Sequence, residues 1–167
     1  SYIGVVHRLD QPVEGVMVFA KTKEAASDLS RQVQMKEADK CYYAVTDGVP
    51  VEKAGSLEDY LLRDGRTNTS KVVKEGTAGA KKARLSYEVL AEDGTHAILK
   101  IQLDTGRHHQ IRVQLANAGY PIVGDRKYNA DSSETLGDHL KLCSYKIGFV
   151  HPKTHKKMEF EIENPYT

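Results

Sequence analysis

Apolar and polar positions alternate with strand periodicity on both sides of Asp93-Gly94. Ala83, Leu85, Tyr87 and Val89 recur at every second position before it, and Ala97, Leu99, Ile101 and Leu103 after it. This pattern predicts an antiparallel hairpin over residues 83–90 and 95–103. The spacing changes over residues 23–36, where Ala25, Ala26, Leu29 and Val33, joined by Gln32 or Met35, form a stripe with a period near 3.6. A helix is predicted there, with Thr22 as its N-cap and Arg31 and Lys36 late in the run. A second, shorter helix is predicted over 111–118, stopped by Gly119 ahead of Pro121. Short strands are predicted at 42–46, closed by Asp47-Gly48, and at 147–150 and 157–162 around His151-Pro152-Lys153-Thr154. At the start of the chain Val5-Val6 runs into His7-Arg8-Leu9-Asp10, then a Pro/Gly turn, then the apolar run 16–20. That reads as strand, sharp turn, strand. Residues 49–84, punctuated by Pro50, Gly55, Gly65, Gly76 and Gly79, read as less regular. Hairpins with two helices interposed predict an α+β domain with a mixed, largely antiparallel sheet and flanking helices, not a βαβ series.

The 167 residues suffice for one domain with its own core, and 40% apolar with 28% charged residues is the composition of a soluble globular chain. No run of eighteen apolar residues occurs, and no signal peptide is visible at the start. Cys41 and Cys143 are far apart among apolar and aromatic neighbours; they read as buried thiols in a reducing, cytoplasmic setting. The net charge of +1 is uninformative, but its distribution is uneven. From Arg63 to Arg84 there are seven Lys/Arg against Asp64 and Glu75. Such a segment is either a solvated loop or a rim for phosphates.

Among residues able to do chemistry, Asp10 stands where a strand gives way to a loop, with Arg8 two positions earlier. A carboxylate fixed at a strand end can serve as a nucleophile or base. The residues alone fit an ordinary hairpin-turn aspartate at least as well. His108-His109 and His151/His155 lack the spacing and the acidic or cysteine partners of a metal site, so no metal is expected. Phosphate-binding glycine loops are absent, and no organic cofactor is implied.

His7-Arg8-Leu9-Asp10 with Gly15 and Ala20 resembles the signature of the RluA-type pseudouridine synthases. Lys40-Cys41-Tyr42-Tyr43-Ala44-Val45 with Gly48 resembles that family's tyrosine motif. The stretch from Leu103 to Val113, followed by Gly119-Tyr120-Pro121-Ile122-Val123-Gly124-Asp125, resembles its third motif, and Leu140 to Cys143 with His151-Pro152 fits the closing one. Four ordered blocks cover almost the whole chain. Val13-Glu14 stands where the family often has Thr-Ser. The family usually carries a further segment with Lys-Pro-x-Gly before the aspartate motif, and this chain begins at Ser1. The resemblance thus implies a pseudouridine synthase catalytic domain over residues 1–167, truncated at its N-terminus.

The resemblance further implies isomerisation of uridine to pseudouridine in ribosomal RNA or tRNA, with no cofactor, no membrane and no obligate protein partner. Asp10 would be the nucleophile, Tyr42 the residue stacking on the base, and Arg107 the cation holding Asp10. Arg8 would fill the gap left by the flipped base or contact phosphate. His7 would hold the loop and border the RNA. Lys71, Lys74, Lys81 and Lys82 would follow the RNA backbone, and Arg112 would be a surface ion pair or an RNA contact. Two other readings fit parts of the chain: a catalytically silent RNA-binding module of the same fold, and a glycoside hydrolase. The latter needs two facing carboxylates, and only one stands in a motif.

Overall fold

The computed structural model describes residues 1–130 and 139–166. In chain order its elements are β1 (Gly4–Val5), β2 (Glu14–Gly15), β3 (Phe19–Ala20), α1 (Lys23–Gln34), β4 (Asp39–Asp47), β5 (Ala54–Asp64), β6 (Thr69–Val73), β7 (Lys81–Glu92), β8 (His96–Leu103), α2 (Gln110–Asn117), β9 (Leu142–Val150) and β10 (Lys157–Glu161). One sheet runs in the order β10-β9-β4-β8-β7-β5-β6, with β2 added alongside β9. Every pairing in it is antiparallel except β2 with β9. The fold is α+β, as the periodicities predict. Among the described residues, no helix is long and apolar enough to cross a membrane.

The predicted hairpin is β7–β8, with Gly94 at φ +88° in its turn. Its inward positions Leu85, Leu99 and Ile101 are fully buried and join Ala44, Ile111, Leu115 and Ile122 in the main core. Thr22 caps α1 by accepting a hydrogen bond from the Ala25 amide. The helix docks through Gln32, whose side-chain amide donates to the Val150 carbonyl (2.7 Å) and accepts from the Val150 amide (2.8 Å). α2 ends in a Schellman motif: the Gly119 amide bonds Ala116 O, the Tyr120 amide bonds Leu115 O, and Gly119 lies at φ +93°.

Two expectations change. The opening segment is not a simple hairpin. The Pro/Gly turn contributes a strand of its own, Glu14-Gly15, which pairs in parallel with Cys143-Ser144, and only Phe19-Ala20 of the apolar run pairs with Gly4-Val5. Residues 49–84 are more regular than their glycines suggest, since β5 and β6 form a hairpin that extends the sheet past β7. This edge buries little beyond Leu61, so its sequence lacks a strong apolar alternation.

Candidate functional site

Asp10 is the first residue of a tight turn closed by the Val13 amide donating to the Asp10 carbonyl (2.8 Å). The turn is anchored on both sides. Upstream, His7 Nε2 accepts from the Val18 amide (3.0 Å). Burial, helped by the nearby Lys40 charge, lowers the His7 pKa to about 4, which keeps this nitrogen an acceptor. Downstream, Gly15 lies so close to β9 that a Cβ would stand 2.2 Å from the Ser144 carbonyl oxygen.

β4 contributes Tyr42. A register shift in the β4–β9 ladder follows Cys41, and Tyr42 stands opposite Ser144. Burial, and secondarily the Asp10 charge, push the phenol up to about 12, so it stays protonated. Tyr43 faces away and stacks on Tyr145, with 3.9 Å between ring centroids.

The third contribution comes from α2, which is buried on nearly all sides; Gln110, Arg112 and Gln114 are covered along with Ile111, Val113 and Leu115. Arg112, only 4% exposed, donates from Nε and Nη2 to both oxygens of Asp125 (2.9 and 2.8 Å). Its guanidinium also lies over the Tyr128 ring, 5.2 Å from the centroid. Held from that side, it presents Nη1 to Asp10 Oδ2 at 3.7 Å. His109, at the left-handed start of α2 (φ +54°), has its Nδ1 2.7 Å from the Tyr128 hydroxyl, whose oxygen already accepts from the Ser70 amide and which is therefore assigned as the donor. Its Nε2 therefore carries the proton and faces Asp10 Oδ1 at 3.9 Å. Burial and the Arg112 charge lower the His109 pKa to about 3.

These groups surround a cavity of ≈ 190 Å³ lined by Asp10, Tyr42, Arg107, His109 and Arg112, with Lys40 and Arg8 at its border. Lys40 is partly buried there, and desolvation lowers its pKa. The neutral phenol offers a flat face, Asp10 a carboxylate, and Arg112 a fixed cation that faces it.

The expected partner of Asp10 is corrected. Arg107 lines the cavity, but its Nε donates to the Lys82 carbonyl (2.9 Å), and Arg112 is the arginine within ion-pair distance of Asp10. Arg112 is accordingly buried and not a surface ion pair. The helix decides this: Arg107 precedes α2 in the loop, whereas Arg112 lies on its covered first turn. A cation inside the apolar run Ile111-Arg112-Val113 was the available signal. Asp125, Tyr128, His109 and Lys40 had no assigned role in the sequence reading. The basic segment also divides. Arg63 and Lys81 lie on the sheet face shared with buried Leu61 and Ala83, while Lys71 and Lys82 lie on the opposite face. Lys82 pairs there with Glu58 at 3.4 Å. Lys74 is exposed beyond β6. The histidines His108 and His109 stack at 3.8 Å, and no group of three possible metal ligands occurs among the described residues.

Residues 1–117 match the family model described as RNA pseudouridylate synthase. A protein of Aquifex aeolicus named an uncharacterized RNA pseudouridine synthase is 37% identical over 98% of this chain and 54% of its own length. The dual-specificity RNA pseudouridine synthase RluA of Vibrio parahaemolyticus is 35% identical over 92% of this chain and 62% of its own. The ribosomal large subunit pseudouridine synthase D of Neisseria meningitidis serogroup B is 33% identical over 97% and 45%. The chain thus spans about half the length of the curated relatives it matches. Among solved structures, Human RNA Pseudouridylate Synthase Domain Containing 1 superposes with a TM-score of 0.86 at 24% identity, covering 99% of this chain and 71% of that one.

Proposed function

This chain belongs to the RNA pseudouridylate synthase family, in its RluA-type branch, and from that premise we propose that it isomerises uridine to pseudouridine in structured RNA, ribosomal RNA or tRNA. The segment 1–167 is read as the catalytic domain. The observation that carries the reading is the convergence of Asp10, Tyr42 and Arg112 on one cavity.

In the reaction the N1–C1′ bond breaks, the uracil turns while held, C5 bonds to C1′, C5 gives up its proton and N1 gains one. Oxidation state is unchanged. Asp10 acts as the nucleophile, and Arg112, fixed by Asp125, places its positive charge beside it. Tyr42 stacks on the base, and its hydroxyl stays protonated while the base turns. His109 presents an N–H towards the second Asp10 oxygen without adding charge. The target uridine reaches this cavity only after leaving its stack, with Arg8 at the border to occupy the vacated space.

The test is release of tritium from RNA labelled at uridine C5. The Asp10→Asn variant, nearly isosteric, is expected to fold, bind RNA and release none. Turnover within tenfold of the parent would remove Asp10 from its role. RNA binding by a parent that never turns over would favour the silent RNA-binding module.

A further inference from the structure

Next to the Asp10 cavity lies a second one, of ≈ 230 Å³, which the reaction above leaves unused. Its walls include Leu61, Arg63, Ser70, Lys81, Arg107 and His108, and no Asp or Glu lines it. Gly106, Arg107 and His108 border both cavities, so the two are neighbours across that loop. Among the described residues none of the three cations forms an ion pair with a carboxylate. Nearby cations on the other face of the sheet are neutralised: Lys82 by Glu58, Arg84 by Asp104 and Glu58.

The cavity is also held in shape. Arg107 is oriented by its Nε donating to the Lys82 carbonyl. His108 is spanned by Ser70 Oγ at Nδ1 (2.8 Å) and Asn68 Oδ1 at Nε2 (2.9 Å). The Asn68 carbonyl oxygen only accepts, so in the neutral form of the ring the His108 proton sits on Nε2. Desolvation, with the Arg63 charge next, favours that neutral form.

We propose that this second cavity holds a backbone phosphate of the RNA strand, at the nucleotide next to the flipped uridine. The proposal rests on the RNA isomerase reading. Three cations with no acid among them call for an anion, and a guanidinium fixed at Nε suits phosphate oxygens. A strand whose base enters the Asp10 cavity carries its neighbouring phosphodiester past the shared Gly106–His108 wall. Because phosphate contacts position a strand without reading it, this site sets where the uridine sits and not which sequence surrounds it.

The experiment compares two double variants of the full chain, Arg63→Gln/Lys81→Gln on the cavity face and Lys71→Gln/Lys82→Gln on the opposite face. The probe is a fluorescein-labelled cytidine 12-mer with one central uridine, titrated by anisotropy over a range of KCl. Each phosphate contact to a single strand contributes about 0.7 to the slope of log affinity against log salt, so the first pair is expected to flatten it by about 1.4 and the second to leave it unchanged. Replacing the linkages flanking the uridine by neutral methylphosphonates should weaken parent binding and cost the Arg63/Lys81 variant no more. Equal flattening by both pairs, an unchanged slope in the first, or full displacement of the RNA by inorganic phosphate at matched ionic strength would overturn the proposal. A parent that shows no salt-dependent RNA binding would instead remove the RNA reading, and the subsite with it.

Discussion

Two arginines five positions apart have different surroundings. Arg112 is buried between two carboxylates, bidentate to Asp125 and facing Asp10 with its remaining nitrogen. A lysine there keeps the charge but cannot serve both carboxylates, because one ammonium lacks the planar fork. Arg112→Lys is expected to fold and to bind RNA nearly as the parent does. Losing a charge-assisted contact worth about 1.5–3 kcal/mol should slow turnover roughly 10- to 100-fold. Arg107→Ala should do the reverse, weakening RNA binding while the rate within the bound complex stays within a few fold. Single-turnover kinetics at saturating enzyme separate the two effects. Equal behaviour of the two variants would refute the division of labour.

Among the elements, the two-residue β2 has the largest consequence for the site. Glu14-Gly15 pairs with Cys143-Ser144, the Val16 amide adds a bond to the Ser144 carbonyl, and Tyr42 stands opposite Ser144 in the β4–β9 ladder. One position on β9 therefore registers the aspartate turn against the tyrosine. Gly15 permits this through its φ of +140° and the absence of a Cβ against the Ser144 backbone. Gly15→Ala must part β2 from β9, which displaces Asp10 while the main core remains elsewhere. Its expected signature is a loss of turnover of at least tenfold, with a nearly native far-UV spectrum and faster amide exchange at Val16. Parent-like exchange at Val16 would show that the strand pairing does not hold the turn.

Across the whole molecule, stability should fall with acid before the carboxylates titrate. His7 and His109 have folded-state pKa values lowered from 6.5 to about 4 and about 3. The unfolded chain takes up these protons near pH 6.5 and the folded one does not, so stability declines as pH drops below that point. Between pH 7 and 5 the His7 contribution is on the order of 1–2 kcal/mol. Urea midpoints for His7→Gln, in which the amide oxygen can still accept from Val18, should fall less over that interval than those of the parent. Parallel slopes would mean that His7 is protonated in both states alike.

The sequence by itself determined what short-range chemistry controls. The β7–β8 hairpin follows from alternation around Asp93-Gly94, the α2 stop from Gly119, the α1 start from Thr22, and the placing of Asp10 from a Pro/Gly turn. Each depends on hydrogen bonds and backbone angles among residues a few positions apart. The motif resemblance likewise picked out Asp10 and Tyr42, which line one cavity. Only the tertiary structure decided that Arg112 faces Asp10 in place of Arg107, that Glu14-Gly15 joins a strand well over a hundred residues away, and that the basic segment divides between two faces. Those outcomes depend on which surfaces of distant elements are brought together. A guanidinium five residues further along a helix points into the core or into a cleft according to how that helix packs. No local pattern around Arg107 or Arg112 encodes that packing.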